Sequence, residues 1–332
     1  MKFSGTSLVT GAAGFMGSHV VEHLAAKGVR VRATSRPRSD LSFFEQRGVE
    51  FIPADLTNPE TLPRLFEGDV DRVFHLGAIC NFSTPFKHLY PTNVEGVRHI
   101  AGLALDAGVK CFIHVTSTSV YGYYKGKPFT ESDKRDPMDD YARSKKEGED
   151  VVFQKIKEGL PAIIVRPCTV YGPRCNDGAG KAFSRPSSIA AIPGSGNQLL
   201  SNIRAEDVAA ALEHLSLLDD AVGEIYNIAE DTNPTLKEAL VLAAAVYHGK
   251  APWLHLPLGM IKLISRVDGF FSRFQNRIPD LEYDACKYLY HDYVVDNTKL
   301  KQSGFHLKYP DFRQSIRQLG ELCAGRAADF SG

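Results

Sequence analysis

Charge of one sign is missing from this 332-residue chain: 39 Lys and Arg stand against 39 Asp and Glu, so the formal net charge is zero. A neutral chain has no basic excess to hold a phosphate backbone, and nucleic acid is not expected as a partner. Long apolar runs are missing too. No stretch of about 18 apolar residues occurs, so no single helix is expected to span a bilayer. Cysteine is sparse, at 80, 111, 168, 175, 286 and 323. No two form a C-x-x-C pair and no His cluster stands beside them, so a metal site is not expected. Spread this thinly, they read as reduced thiols, and a cytoplasmic location is expected. The sequence begins Met-Lys and runs into a strand with no signal-peptide pattern. With 43% hydrophobic and 23% charged residues, a largely disordered chain is excluded.

What is present is an alternation of short apolar runs with helical patterns. Strand-like runs stand at 7–10, 29–34, 49–53, 72–76, 111–115 and 162–165. Helical periodicity covers 19–27, closed by Gly28, then 93–107 and 141–156. Such alternation implies βαβ units and a doubly wound, Rossmann-type parallel sheet. After about Pro173 it breaks down. Residues 174–201 read as loops with short helices, 205–218, 234–247 and 310–323 as helices, and 224–228 as one more strand. We expect a dinucleotide-binding domain over 1–173, with contributions from about 202–229, and a smaller substrate lobe over 174–332.

The first strand runs into Thr10-Gly11-Ala12-Ala13-Gly14-Phe15-Met16-Gly17, and a helix follows. A turn with Gly at 11, 14 and 17 lets the backbone approach a pyrophosphate. The N–H groups around Phe15 and Met16 then face the anion. The end of the second strand decides the cofactor: an acid there bonds the ribose hydroxyl of NAD, an Arg takes the extra phosphate of NADP. Thr34-Ser35-Arg36-Pro37-Arg38 has no acid before Asp40. NADP(H) is therefore expected ahead of NAD(H), with Arg36 and Arg38 as candidate phosphate ligands.

Tyr141 and Lys145 stand at i and i+4, on one helix face. An ammonium beside a phenol favours phenolate, so the pair reads as an acid/base at a carbonyl or hydroxyl oxygen. The strand before it ends in four hydroxyls, Thr116-Ser117-Thr118-Ser119. One of them could bond the same substrate oxygen. His75 reads as hydrogen-bonded structure and Cys80 as incidental. Trp253 and Tyr283, Tyr288, Tyr290 and Tyr293 read as core or pocket aromatics.

With these residues in view the sequence resembles the extended short-chain dehydrogenase/reductase family, in its epimerase/dehydratase branch. The resemblance runs from the glycine turn to about residue 320. Its landmarks are Ala54-Asp55-Leu56, His75-Leu76-Gly77-Ala78, Asn93-Val94-Glu95-Gly96, Ser117 to Gly122, Tyr141 to Lys145, Arg166-Pro167, Val170-Tyr171-Gly172-Pro173, Glu206-Asp207-Val208 and Tyr226-Asn227-Ile228. The resemblance implies Tyr141 as catalytic acid/base, Lys145 as the lysine on the nicotinamide ribose and Ser117 as the catalytic hydroxyl. It places Asp55 and Leu56 at the adenine. Leu76, Gly77 and Ala78 come beside the cofactor, with Gly at 77 where Ala is usual. Pro167 joins the cofactor-binding residues, and Arg36 stands where NADP-using members carry a phosphate-binding Arg. The resemblance also implies a homodimer formed through 93–107 and 141–156.

Two departures separate the branches. The 4,6-dehydratases carry Asp-Glu after the catalytic hydroxyl, where this chain has Thr118-Ser119. Nucleotide-sugar epimerases carry a diphosphate-gripping Arg where this chain has Leu200; Arg204 is near but out of phase. The segment 256–274 is apolar with scattered bases, and resembles its counterpart in sterol dehydrogenases and reductases of bulky apolar alcohols. It reads first as a helix packed on the substrate lobe, and second as an apolar lid or an interfacial membrane helix carrying Lys262, Arg266 and Arg273. The expected activity is an NAD(P)-dependent oxidoreductase of a secondary alcohol or ketone, 3-beta-hydroxysteroid dehydrogenase-like or a ketoreductase, with a bulky or apolar substrate. The alternatives are an NAD-dependent nucleotide-sugar epimerase and a non-catalytic dinucleotide-binding protein.

Overall fold

Buried apolar runs too short for helices set the strands. β1 (Thr6–Thr10), β2 (Val31–Thr34), β3 (Glu50–Phe51), β4 (Val70–His75), β5 (Cys111–Val115) and β6 (Ala162–Pro167) come first in the chain. They are followed by the shorter β7 (Thr169–Tyr171), β8 (Ala191–Pro193) and β9 (Asn202–Arg204), then β10 (Ile225–Ile228) and β11 (Leu254–Leu256). The computed structural model describes residues 3–38, 40–175, 180–184, 191–247, 250–274 and 282–329. Seven strands form one sheet in the order β10-β6-β5-β4-β1-β2-β3, every neighbouring pair parallel. The order reverses at β1, which lies between β2 and β4. A doubly wound sheet opens its ligand crevice at such a point. Two small parallel pairs, β7 with β9 and β8 with β11, lie outside it.

The helices are α1 (Phe15–Ala26), α2 (Ser42–Glu45), α3 (Phe86–Tyr90), α4 (Gly96–Asp106), α5 (Asp140–Lys157), α6 (Lys181–Ser184), α7 (Ala205–Ser216), α8 (Leu236–Val246), α9 (Leu258–Phe274), α10 (Thr298–Gln302) and α11 (Phe312–Asp329). Val20, Val21 and Leu24 of α1 and Val208 and Leu212 of α7 cover one sheet face. Val97, Ile100 and Ala104 of α4 and Val151 and Val152 of α5 cover the other. Each Val, Leu and Ile among them contributes roughly 1.5–3 kcal/mol by leaving water. α1 ends at Gly28, whose φ of +72° suits a residue without Cβ, and its N–H donates to the Ala25 carbonyl at 2.9 Å. A third cluster joins Tyr171 and Phe183 to Leu236, Leu240, Phe312 and Ile316 of α8 and α11.

Two regions differ from the sequence expectation. The helix expected over 93–107 begins as a π-turn, Pro91–Glu95, between α3 and α4. Pro91 has no N–H for the α ladder, and the wider turn absorbs the defect. The helix within 256–274 forms, but with its apolar stripe toward solvent, not packed on the lobe. Ile261, Ser265 and Ser272 face inward, while Met260, Leu263, Ile264, Val267, Phe270, Phe271 and Phe274 are exposed.

Candidate active site

The site is built where β1, β4, β5 and β6 end. After β1 the chain turns through Gly11, at φ +64°. A Cβ on Gly11 would stand 2.8 Å from the Gly77 backbone, and one on Gly17 would collide with the Gly11 carbonyl oxygen. Only glycines bring these segments so close. The N-cap of α1, Gly14, has an extended backbone and supplies no side-chain cap, and the first turn carries no acid. The start of α1 therefore presents bare N–H groups and the positive end of its dipole. Phe15 and Met16 are its first residues. This turn fits a dinucleotide pyrophosphate.

Thr10 ties the ends of β1 and β4 together. Its hydroxyl accepts from the Gly77 N–H at 3.1 Å and hydrogen-bonds His75 Nδ1 at 2.8 Å. His75 is wholly buried, and burial first, then Lys145, pushes its pKa down to about 3. It is neutral scaffolding, as the sequence indicates. Gly77 also resolves the missing Ala: a methyl there would stand 2.7 Å from Leu56 Cδ1. Asn93 then holds the next segment. Its side chain accepts from the Ile79 N–H at 2.8 Å and donates to the Ile79 carbonyl at 3.0 Å and to Ser144 Oγ at 2.9 Å. Leu76, Gly77 and Ala78 are thereby fixed between β4 and α5.

α5 delivers the acid/base pair. Asp139 caps it, accepting from the Ala142 N–H at 2.8 Å, so Tyr141 lies in the first turn. Gly148 lets the helix approach the π-turn, since a Cβ would meet the Asn93 carbonyl oxygen at 2.6 Å. Tyr141 and Lys145 are both buried. The Tyr141 hydroxyl is hydrogen-bonded with Ser117 and with Cys80. Ser117, at the end of β5, also accepts from the Ser119 N–H at 3.1 Å. Lys145 Nζ donates to the Val115 carbonyl at 3.0 Å. Of the four hydroxyls in the Thr116–Ser119 run, it is Ser117 that meets Tyr141.

The electrostatics differ from the expectation of a phenolate. Burial, then the Cys80 thiol, raises the Tyr141 pKa well above 10, against a smaller lowering by the Ser117 hydrogen bond. Burial also brings Lys145 down to about 8. Desolvation disfavours both charged forms. Without cofactor, Tyr141 therefore holds its proton.

The other expected residues lie around this centre. Arg36 follows β2 in an exposed loop, and its charge helps lower the Asp55 carboxyl, chiefly held down by the Thr57 N–H. Arg38 donates to the Ala13 carbonyl at 3.4 Å. Pro167 closes β6, paired with Ile228 of β10. Phe82 is an addition, while Cys80, read from the sequence as incidental, meets Tyr141, and Tyr288, read as a core or pocket aromatic, stands against Phe82. The Phe82 ring lies 4.8 Å from that of Tyr141 and 5.6 Å from that of Tyr288. The Tyr288 hydroxyl donates to Asp139 Oδ2 at 2.7 Å, and the Tyr293 hydroxyl to the Thr118 carbonyl at 2.6 Å. Only the tyrosine-rich stretch 283–293 hinted at this aromatic wall. Arg204 is fully buried, paired with Glu206 and donating to the Ser315 carbonyl at 3.1 Å. Leu200 bridges to the backbone of Tyr293.

A model of the NAD dependent epimerase/dehydratase family matches residues 7–229. The UDP-N-acetyl-alpha-D-glucosaminuronate decarboxylase of Bacillus cytotoxicus is 29% identical over 296 residues, which are 82% of this chain and 88% of that one. The sterol demethylase protein B of Methylococcus capsulatus is 32% identical over 178 residues, 51% of this chain and 52% of that one. The UDP-glucose 4-epimerase of Thermus thermophilus, solved in complex with NAD, superposes with a TM-score of 0.75 at 22% identity, over 95% of this chain and 98% of that one. That likeness shows the fold. The family match extends over more than half of the chain and takes in the glycine turn, Ser117, Tyr141 and Lys145, so this chain belongs to the NAD dependent epimerase/dehydratase family, among the extended short-chain dehydrogenases/reductases.

Proposed function

We propose that the chain is an oxidoreductase that interconverts a secondary alcohol and a ketone on a bulky, apolar substrate, with net turnover of a nicotinamide cofactor. The observation that carries the reading is the contact of the Ser117 and Tyr141 hydroxyls at the carboxyl edge of the sheet, with Lys145 one helical turn on. When bound, the dinucleotide supplies or accepts the hydride. The protein does the rest. Ser117 orients the substrate oxygen by a hydrogen bond. Tyr141, protonated in its buried setting, donates its proton to a carbonyl oxygen in reduction, and its phenolate takes one back in oxidation. Lys145, held at the Val115 carbonyl, supplies the nearby positive charge that a transient phenolate needs.

The apolar substrate rests on two features of the surroundings. Arg204, the cation nearest in sequence to the epimerase position, is already committed to Glu206, and Leu200 offers no charge. A diphosphate left beside Leu200 would lose hydration without compensation. The ring of Phe82, packed on Tyr141 and backed by that of Tyr288, suits an apolar body instead. The second reading is a nucleotide-sugar enzyme. It is favoured by the Bacillus cytotoxicus relative, which matches over most of both chains. Purified protein offered apolar ketones and nucleotide sugars in turn separates the two: stoichiometric loss of reduced cofactor with a ketone supports the first. Epimerised or decarboxylated nucleotide sugar with no net cofactor change supports the second.

For the cofactor the proposal is NADP(H), because Arg36 and Arg38 follow β2 where no acid stands. NAD, carried by the Thermus thermophilus neighbour, is the rival. A charge-assisted contact is worth about 1.5–3 kcal/mol. Arg36→Ala should therefore weaken NADPH binding about tenfold or more, measured by calorimetry, and leave NADH binding nearly unchanged. Equal losses would make Arg36 an ordinary loop residue.

A further inference from the structure

α9 is amphipathic with its faces reversed. Its inward side carries Ile261, Ser265 and Ser272, and the Ser265 hydroxyl donates to its own helix at the Lys262 carbonyl, 2.8 Å away. Its outward side carries Met260, Leu263, Ile264, Val267, Phe270, Phe271 and Phe274, spaced three and four residues apart. That spacing makes one continuous stripe, about 21 Å long at 1.5 Å per residue. Leu263 is 63% exposed, Phe270 57% and Phe274 76%. Trp253 and Leu254, just ahead of it in the chain, are exposed as well. Single exposed apolar residues need no explanation, but a contiguous stripe of seven marks a surface with a partner.

The charge around the stripe identifies that partner. Among the described side chains, residues 250–274 hold three cations, Lys250, Lys262 and Arg266, and one acid, Asp268, in a chain whose net charge is zero. Lys262 Nζ lies 4.5 Å from the centre of the Tyr290 ring. The Arg266 guanidinium lies 4.8 Å from that of Tyr283 and donates to its hydroxyl at 3.0 Å. Cations beside amphipathic phenols, bordering an apolar stripe, match the headgroup level of a bilayer with the acyl boundary below. We propose that this face of α9 is a peripheral anchor that lies on the surface of an anionic lipid bilayer. A second copy fits less well. Two-fold pairing would set one net-positive patch against its equal, whereas anionic headgroups neutralise it. The stripe also points away from the protein, which removes the lid reading. The proposal stands whatever substrate the active site takes.

Vesicle co-sedimentation of the full chain tests it, with phosphatidylcholine alone and with added phosphatidylglycerol. The protein should sediment with the phosphatidylglycerol vesicles, more weakly with the neutral ones, and high salt should reduce binding. Leu263→Ser with Phe270→Ser should lower the partition coefficient about a hundredfold or more, because two large side chains no longer enter the acyl boundary. Lys262→Gln with Arg266→Gln should lower it roughly tenfold on anionic vesicles only. The serine positions are solvent-exposed, so retained dinucleotide binding verifies the fold. No binding to phosphatidylglycerol vesicles, or equal binding by the serine variant, overturns the proposal. So does a dimer that the serine variant dissociates in a protein that ignores vesicles, which would give the face to a second copy.

Discussion

Tyr141 keeps its proton because water is excluded from it. The ring packs on Phe82, the hydroxyl meets Ser117 and Cys80, and burial raises its pKa well above 10. A phenol poised this way is ready to donate. Tyr141→Phe removes the proton and keeps the ring, so kcat should fall about a hundredfold or more while dinucleotide affinity persists. Near-normal turnover would end the acid/base assignment. Lys145 gives a second test at this scale. Its pKa is near 8 when folded and 10.5 in the ordinary state. Below pH 8 both folded and unfolded chains hold the proton, and the buried ammonium costs its full penalty. Between pH 8 and 10.5 the unfolded chain binds a proton that the folded chain has released, so stability rises with pH. Cofactor-free Lys145→Met should thus be more stable than the parent at pH 7, by roughly 3 kcal/mol at most. That advantage should fade toward pH 10.5 in denaturant titrations. A pH-independent difference would show that the lysine is not desolvated.

The elements that could be read from the sequence are those whose geometry leaves no alternative. Gly11, Gly14 and Gly17 are such a case, because backbone packs against backbone at Gly77 and Gly11. Gly17→Ala should cost about 1–3 kcal/mol by overpacking and weaken dinucleotide binding in calorimetry. A variant that binds normally would mean the turn can widen. The i, i+4 spacing likewise placed Tyr141 and Lys145 on one face of α5. It carried no information on burial, so the raised Tyr141 pKa was not legible. Neither was the Cys80 contact, which depends on Asn93 pinning the segment after β4 through Ile79. The periodicity over 93–107 showed a helix there, but not the π-turn Pro91–Glu95 at its start.

At the scale of the molecule, strand alternation was enough to foresee the parallel sheet that brings Thr10, Leu76, Ser117 and Pro167 to one edge. The direction in which α9 turns its stripe was not foreseeable. A period of three and four fixes that a stripe exists, and tertiary packing of Ser265 and Ser272 decides which side faces in. The same limit applies to the substrate, since the sequence shows Arg204 as near but out of phase and only the structure shows Glu206 holding it. The most direct test of the central claim is hydride transfer itself, followed with reduced cofactor deuterated at the transferable position of the nicotinamide ring. With an apolar ketone, the account predicts one deuterium on the new carbinol carbon for each cofactor oxidised, and almost none with Tyr141→Phe. Deuterium that stays with a cofactor undergoing no net oxidation, while a nucleotide sugar is epimerised, would contradict it.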